Sequence, residues 1–127
     1  KGGKVFANGD SAELINALSE PAFRGIRVNT LKCSTRKFKN YNIATKPTPF
    51  CKEGFYIEGE LKVGNHPLHH AGAYYVQEPS ASSAVELLDV TEGDFVLDMC
   101  AAPGGKSSQI KNKLGKKSKI QRLILRR

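Results

Sequence analysis

The turn that follows residue 98 combines residue types that can hold a small molecule. Asp98 comes after an apolar run at residues 95–97, and residues 100–106 (CAAPGGK) are small or turn-forming. Gly104 and Gly105 permit positive φ angles and a close approach of ligand to backbone. Ligands of doubly wound folds bind beyond the carboxyl ends of parallel strands. The sequence therefore predicts a buried strand at residues 95–97, a helix from about Gly105 and a small-molecule cradle between them.

Three ligand chemistries compete for this turn. Gly105, Lys106 and Ser107 match the end of the phosphate-binding pattern GxxxxGK[ST], but Cys100 stands where its first glycine is required. The dinucleotide pattern GxGxxG is absent. A turn that binds S-adenosylmethionine fits better, because small residues leave steric room and helix N–H groups favour the ligand's carboxylate by about 0.3–1 kcal/mol. The turn alone favours this third chemistry without deciding it.

Upstream of the turn, alternating element types predict a small α+β module over residues 1–65. A capping-box pattern begins at Asp10, and apolar residues at helical spacing extend it into a short amphipathic helix. Residues 24–31 alternate polar and apolar side chains, so we expect a strand with one wet face that carries Arg24 and Arg27. Two more elements should complete the module.

The first of these is a helix capped by Ser34, with Phe38 on its inward face. Residues 46–50 (KPTPF) are then predicted to break regular structure, and residues 54–59 to form a short strand bounded by glycines.

A connector is predicted at residues 66–79, because its first half is rich in turn residues and its second half precedes a proline. Residues 80–115 should begin the domain that carries the cradle. Its first helix should start at Ser80 or Ser82 and end near residue 89. The predicted apolar face of that helix consists of Ala81, Ala84, Val85 and Leu88.

The formal charge of +8 is concentrated at one end of the chain. Residues 1–110 contain 12 Lys+Arg and 12 Asp+Glu, whereas residues 111–127 contain 8 Lys+Arg and no acid. No apolar run approaches 18 residues, so we expect a soluble chain without a membrane span. The 3 widely spaced cysteines form neither a disulfide framework nor a CxxC pair, which favours a reducing, cytoplasmic setting.

The words flanking the turn resemble a known family. The chain resembles the RNA 5-methylcytosine methyltransferases of the Sun family, particularly bacterial members that act on ribosomal RNA, and the matching segments occur in the same order as in that family. The matching segments are residues 27–32 (RVNTLK), 53–56 (EGFY), 64–67 (GNHP), 70–80 (HAGAYYVQEPS) and 96–107 (VLDMCAAPGGKS). The QEPS and CAAPGGK words are the most specific of these.

This resemblance implies an α/β fold in which a small α+β N-terminal module precedes the first strand-turn-helix of an incomplete class I (Rossmann-like) methyltransferase domain. It implies an RNA (cytosine-5-)-methyltransferase with S-adenosylmethionine as cofactor and RNA as partner, without an obligate protein partner. Family members use a cysteine thiolate that attacks the cytosine ring, and a second cysteine helps release the product. The cofactor residues carried over by the resemblance are Cys100, Ala101, Ala102, Pro103, Gly104, Gly105 and Lys106.

The sequence departs from the family after the turn. Both family cysteines belong to segments downstream of it that these residues do not contain, and Cys100 belongs to the turn itself. After Asp98 there is no Asp or Glu, although Rossmann-like folds place a ribose-binding acid about 20 residues past the glycine turn. Residues 116–127 do not resemble the family's second strand and are predicted as an incidental basic tail. We therefore expect this chain alone to lack methyltransferase activity and to bind the cofactor weakly or not at all.

A non-catalytic RNA-binding remnant is the alternative function. The basic residues that would face phosphates are Arg24, Arg27, Lys32, Arg36, Lys37 and Lys39. In the tail, Ile120, Leu123 and Ile124 form a helical stripe, so a short RNA-binding or membrane-surface helix is a further alternative.

Several residues with reactive side chains are expected to have structural roles. No carboxylate or cysteine near His66, His69 and His70 completes a metal set, so we expect a structural or RNA-facing turn. Cys100 is expected to be a small buried residue, because no base lies at a suitable spacing. Tyr74 and Tyr75 are expected in the core, with stacking on a base as the alternative.

Overall fold

The computed structural model describes residues 10–43, 45–115 and 120–122. A four-stranded antiparallel sheet has the order β2-β3-β1-β4, and a second pair, β5 and β6, is parallel. The strands are β1 Gly25–Val28, β2 Thr45–Pro47, β3 Gly54–Ile57, β4 Tyr74–Val76, β5 Val96–Asp98 and β6 Ile120–Arg122. The α-helices are α1 Asp10–Ser19, α2 Thr35–Lys39, α3 Pro67–His70, α4 Ser83–Leu87 and α5 Gly105–Leu114, and short 3-10 turns occupy Val63–Asn65 and Pro79–Ser82. The result is an α/β fold built on an antiparallel sheet.

The larger core lies against one face of the antiparallel sheet. Ser34 caps α2 by accepting a hydrogen bond from the Lys37 N–H at 3.2 Å. This places Phe38, which is 1% exposed, with its ring centroid 6.0 Å from that of Phe55 and 5.6 Å from that of Tyr74. The predicted cap, the inward Phe38 and the strand at β3 are confirmed.

Both faces of β1 are covered, so the predicted wet face is wrong. All four β1 residues are buried. Ile26 and Val28 point into the larger core. The opposite face lies under the Pro79–Ser82 turn, because a Cβ built on Gly25 would stand only 2.7 Å from Cγ of Pro79.

Short elements occupy stretches that the sequence predicted as irregular. Residues 45–47 pair with β3 as an edge strand, in the segment predicted to break structure. Within the predicted connector, α3 follows the His66 cap and β4 pairs with β1 through Ile26↔Val76. The connector therefore contributes the outer strand of the first module's sheet.

The second unit is a strand, a helix and a parallel strand. Helix α5 is confirmed from Gly105 and buries Ile110 and Leu114 against Val85 of α4, with Val90 and Val96 packed at the margin. Strand β6 pairs with β5 in the register Asp98↔Arg122. The prediction that residues 116–127 do not form the second strand is thus wrong for residues 120–122, and the helical stripe fails at Ile120. Leu123 and Ile124 lie outside the described residues.

Several predicted core positions are exposed. Phe95 is 73% and Leu97 55% exposed, because α5 covers the opposite face of β5. On α4, Val85 is buried whereas Ala84 is exposed and Leu88 is 59% exposed, so the predicted apolar face is only partly correct. Helix α1 forms as predicted, but its apolar residues Leu14, Ile15 and Leu18 are exposed.

A search of the described residues finds no helix with the length and apolar character needed to cross a membrane.

Candidate functional site

The Asp98 side chain is hydrogen-bonded to both ends of the glycine turn. It lies at the end of β5 and is 9% exposed. One carboxylate oxygen accepts a hydrogen bond from the Cys100 N–H at 3.1 Å, and the other accepts from the Ser107 hydroxyl at 2.5 Å. Asp98 therefore ties both ends of the turn together, the second through the first turn of α5. Gly104 has φ 113°, a left-handed conformation that favours glycine at this position.

The turn forms one wall of an open cavity of about 260 Å³. Six of the seven predicted cofactor residues line it, and Ala101 lies buried behind them at 3% exposure. The opposite wall consists of residues that sequence reasoning did not assign to the site, namely Tyr75, Val76, Gln77 and Ala81. They lie in the segment 74–81 that surrounds the QEPS word, so that word was the available signal.

Close packing at Gly105 sets the width of this cavity. A Cβ built on Gly105 would stand 3.3 Å from Cε1 of Tyr75 and 3.6 Å from the side-chain amide of Gln77. A side chain there would fill the space between helix and strand. Helix α5 therefore approaches Tyr75 and Gln77 so closely at Gly105 that little room is left for a side chain. Such a close approach is expected of a cradle that brings a ligand near backbone N–H groups.

The expectation that Cys100 is buried is wrong. Cys100 is exposed and lines the cavity, whereas Cys33 and Cys51 are buried. Burial raises the pKa of the Cys51 thiol. The two tyrosines divide: Tyr74 is 3% exposed in the core and donates to the Val63 carbonyl at 2.6 Å, while Tyr75 lines the cavity.

Arg27 is a buried link between the two units and does not lie on an outward face. It is 2% exposed, and its guanidinium donates to the Gln77 amide oxygen at 3.2 Å. Its Nη2 also donates to the Gly105 carbonyl at 2.9 Å and to the Ser108 hydroxyl at 2.7 Å. Burial lowers the pKa of Arg27, and the negative charges of nearby Glu53 and Glu86 oppose that effect. Arg27 is predicted from the sequence to face RNA, but it is buried and instead supports the cradle through these hydrogen bonds.

A polar network continues this contact along α5. Gln109, 2% exposed, donates to the Ser82 carbonyl and to a Glu86 carboxylate oxygen, both at 2.9 Å. Lys113 forms a salt bridge of 2.8 Å with the other Glu86 oxygen. Burial alone would raise the pKa of Glu86, but the hydrogen bonds from Lys113 and Gln109 lower it overall.

Among the described residues, Cys51, Glu53 and Glu86 place potential metal-ligand atoms within 4.8 Å of one another. Arg27 and Lys113 line the same small cavity of about 70 Å³ and supply two positive charges opposite the two carboxylates. The group is therefore balanced without an ion. Near the connector, His66 Nδ1 accepts from the Leu68 N–H at 3.2 Å as a helix cap, and the His69 ring packs 5.7 Å from that of Tyr74.

The remaining predicted RNA-facing residues are exposed, but two of them are already hydrogen-bonded. Arg24 donates to the Gly59 carbonyl at 3.2 Å and to the Leu61 carbonyl. The Lys32 ammonium donates to the Ala71 carbonyl at 3.0 Å. Arg36, Lys37 and Lys39 project from the last turn of α2 and are exposed.

Comparisons with known proteins relate the chain to ribosomal RNA methyltransferases. Residues 4–79 match the family described as the N-terminal domain of 16S rRNA methyltransferase RsmF. Two curated relatives, the ribosomal RNA small subunit methyltransferase F of Salmonella paratyphi B and that of Salmonella newport, are each 38% identical over 118 residues. Each match covers 85% of this chain and 25% of the relative, so the chain spans about a quarter of the relatives' length.

Solved structures show the same fold. A methyltransferase homologue from Pyrococcus horikoshii has a TM-score of 0.74 at 32% identity, over 84% of this chain and 36% of its own. NSun6 from Pyrococcus horikoshii, solved with SFG, an analogue of S-adenosylmethionine, has a TM-score of 0.79 over 93% of this chain and 55% of its own. At 18% identity, that second likeness shows the fold alone.

Proposed function

The chain belongs to the family of the N-terminal domain of 16S rRNA methyltransferase RsmF, among the Sun-family methyltransferases, and from this premise we propose a function in RNA methylation. The reaction is S-adenosylmethionine-dependent methylation of cytosine at ring position five, with ribosomal RNA as substrate in the cytoplasm. One observation carries the proposal. The CAAPGGK turn, tied down by Asp98, faces β4 across an open cavity of about 260 Å³.

The residues of this cavity suit an amino acid attached to a nucleoside. Helix α5 has 10 residues and begins at the turn, so its first N–H groups favour the ligand's carboxylate. Tyr75 and Val76 offer apolar surface on the opposite wall. A bound S-adenosylmethionine would supply an electrophilic methyl group. The chain's own contribution is to hold the cofactor, through residues 100 and 102–106, beside the antiparallel sheet of the N-terminal module.

None of the three cysteines is suited to be the nucleophile of this reaction. Cys33 and Cys51 are buried, and Cys100 lies in the wall of the cofactor cavity. At the end of β6, the register position beside Asp98 is Arg122, where an acid would be needed to hold the ribose hydroxyls. We therefore propose that these 127 residues alone bind the cofactor weakly and do not transfer its methyl group.

Nuclear magnetic resonance titration tests cofactor binding, because chemical shifts detect ligands of millimolar affinity. We expect S-adenosylhomocysteine to shift the amides of Gly104, Gly105 and Lys106 and to saturate. In Gly105→Val, the added side chain fills the cavity, and these shifts should disappear. Gly64→Ala is the matched control, because a Cβ at Gly64 would meet nothing within 4 Å.

Two results of this titration would contradict the proposal. The first is the absence of any saturable shift in the wild-type chain. The second is a tighter response of the same amides to ATP than to S-adenosylhomocysteine, which would favour a phosphate-binding turn.

A non-catalytic RNA-binding role is the second candidate function. The exposed basic turn of α2, with Arg36, Lys37 and Lys39, supports it. The titration with S-adenosylhomocysteine separates the two candidates, because a non-catalytic remnant needs no cofactor, and neither candidate predicts methyl transfer by this chain alone. If the purified 127-residue chain transfers tritiated methyl groups to ribosomal RNA, the remnant is excluded and our expectation of inactivity is wrong.

A further inference from the structure

A second cavity lies beside the cofactor cavity, and the proposed function does not use it. It has a volume of about 410 Å³ and is formed by the start of β1, the end of β4 and the Val63–Asn65 turn. Val76 and Gln77 line both cavities, so the two spaces share a wall. A group held in the second cavity would therefore lie next to the proposed methyl donor.

The second cavity presents an aromatic ring. Phe23 lines it and is 73% exposed. Behind it, the Tyr56 ring meets the Phe23 ring at a centroid distance of 5.6 Å and an interplanar angle of 61°. This edge-to-face contact supports the ring while leaving most of it open to solvent. Val76, 40% exposed, adds apolar surface nearby. Exposed aromatic rings of this kind are surfaces on which unpaired bases stack.

The charges around the cavity favour a polyanion. Arg24 and Lys62 line it, with Glu78 as the single acid among its lining residues. The Glu78 carboxylate is already engaged, because it accepts hydrogen bonds from the Ser80 hydroxyl and from the N–H groups of Ser80 and Ala81. The Arg24 guanidinium is already engaged, because it donates to the Gly59 and Leu61 carbonyls. Lys62 therefore remains as the cation best placed to move toward a phosphate.

We propose that this second cavity binds one unpaired nucleotide of the substrate RNA, with its base stacked on Phe23 and its phosphate near Lys62. The inference rests on the proposed function, since that function supplies RNA as the polyanion. It assigns to the cavity a nucleotide that flanks the modified cytosine, because the shared wall of Val76 and Gln77 separates it from the methyl donor.

A fluorescent base tests the stacking directly. The probe is a single-stranded cytidine oligoribonucleotide with one 2-aminopurine, whose fluorescence is quenched when the base stacks. We expect the wild-type chain to bind the probe and quench it. Phe23→Ala should abolish the quenching and weaken binding about five-fold or more, as the loss of one base–aromatic stack predicts. Phe23→Tyr should retain both the quenching and the binding, because the base can stack on any aromatic ring at this position.

Two further variants separate stacking from an effect on the fold. Phe95→Ala removes a ring of the same 73% exposure outside the cavity and should bind the probe like the wild type. Gly64→Leu adds a bulky side chain to a residue that lines the cavity and at which a Cβ would meet nothing within 4 Å, so it should weaken binding without loss of structure. Circular dichroism should show the same fold for all variants.

The inference is overturned if Phe23→Ala quenches and binds like the wild type, or if the wild-type chain shows no saturable binding of the probe. It is also overturned if Phe23→Ala and Phe95→Ala weaken binding equally. The titration with S-adenosylhomocysteine is independent of these results. Failure here with intact cofactor shifts rejects the nucleotide site alone, whereas loss of the cofactor shifts rejects the proposed function.

Discussion

Arg27 shows how a single residue joins the two halves of the molecule. The sequence pattern places it on the polar side of a strand, and such a pattern cannot reveal that α5 covers that side. Its neighbours in space are Gly105 and Ser108, far along the chain, and Gln77. The motifs RVNTLK and CAAPGGKS contain Arg27 and Gly105, but nothing in the sequence shows that these two residues are in contact.

Arg27→Met should therefore lower the free energy of unfolding by about 2–4 kcal/mol, because it removes charged hydrogen bonds and leaves buried acceptors unpaired. Urea denaturation followed by circular dichroism measures this change. Arg36→Met, at an exposed position on α2, is the matched control and should change stability by less than about 0.5 kcal/mol. Equal effects of the two substitutions would show that Arg27 does not hold α5.

The ionisation of Glu86 is expected to make the stability of the fold depend on pH. Its folded pKa lies below the usual value because hydrogen bonds from Lys113 and Gln109 outweigh the effect of burial. The stability it contributes is thus fully present above the unfolded pKa of about 4.3 and is lost as the pH falls through the lower folded pKa.

Urea midpoints for Glu86→Gln and for the wild type measure this contribution. We expect the variant to be less stable at neutral pH and the difference between the two chains to shrink below about pH 4. Glu60→Gln, at an exposed position, serves as control. A difference that stays constant across the acid range would rule out the charge of Glu86 as its source.

At the scale of elements, the sequence predicts those whose local pattern suffices. Helix α2 has a cap and an inward Phe38, and β3 lies between Gly54 and Gly59. Strands β2 and β6 have three residues each, too few to show a periodicity, and they exist through hydrogen bonds to β3 and β5. In β2, Pro47 weakens the strand pattern further, and the neighbouring lysines of the tail do the same for β6. Tertiary pairing, and not local preference, decides these two strands.

Strand β5 illustrates a second limit. Its apolar run predicts burial on both sides, yet only one side meets α5. Leu114 is 0% exposed in the smaller core and Leu97 is 55% exposed on the open side. Leu114→Ala should then cost about 2–5 kcal/mol of unfolding free energy, as a cavity in the core does. Leu97→Ala, the same substitution on an exposed surface, should cost less than about 0.5 kcal/mol. Denaturation midpoints that rank the two variants in the opposite order would place the core on the other face of β5.

For the molecule as a whole, the candidate site arises where the two units meet. The turn 100–106 is recognisable from sequence because its small residues are contiguous. The opposite wall is not, since Tyr75 belongs to a strand of the other unit, Gln77 directly follows that strand, and the pairing of β4 with β1 brings both to the cavity. The position of Phe23 beside the same strand is equally invisible in the sequence.

The distribution of charge over the whole chain predicts a second, unspecific mode of RNA binding. Residues 111–127 hold 8 Lys+Arg and no acid. Such a segment releases counterions from any polyanion, so its affinity falls steeply with salt. Changing Lys116, Lys117 and Lys119 together to Gln should reduce the slope of log K against log salt by about 2, at about 0.7 per phosphate contact on a single strand. The same reduction is expected with RNA, single-stranded DNA and heparin, because only charge is involved. Phe23→Ala, in contrast, should leave the slope unchanged while weakening the binding of RNA. Equal slopes for the triple variant and the wild type would show that the tail takes no part in binding.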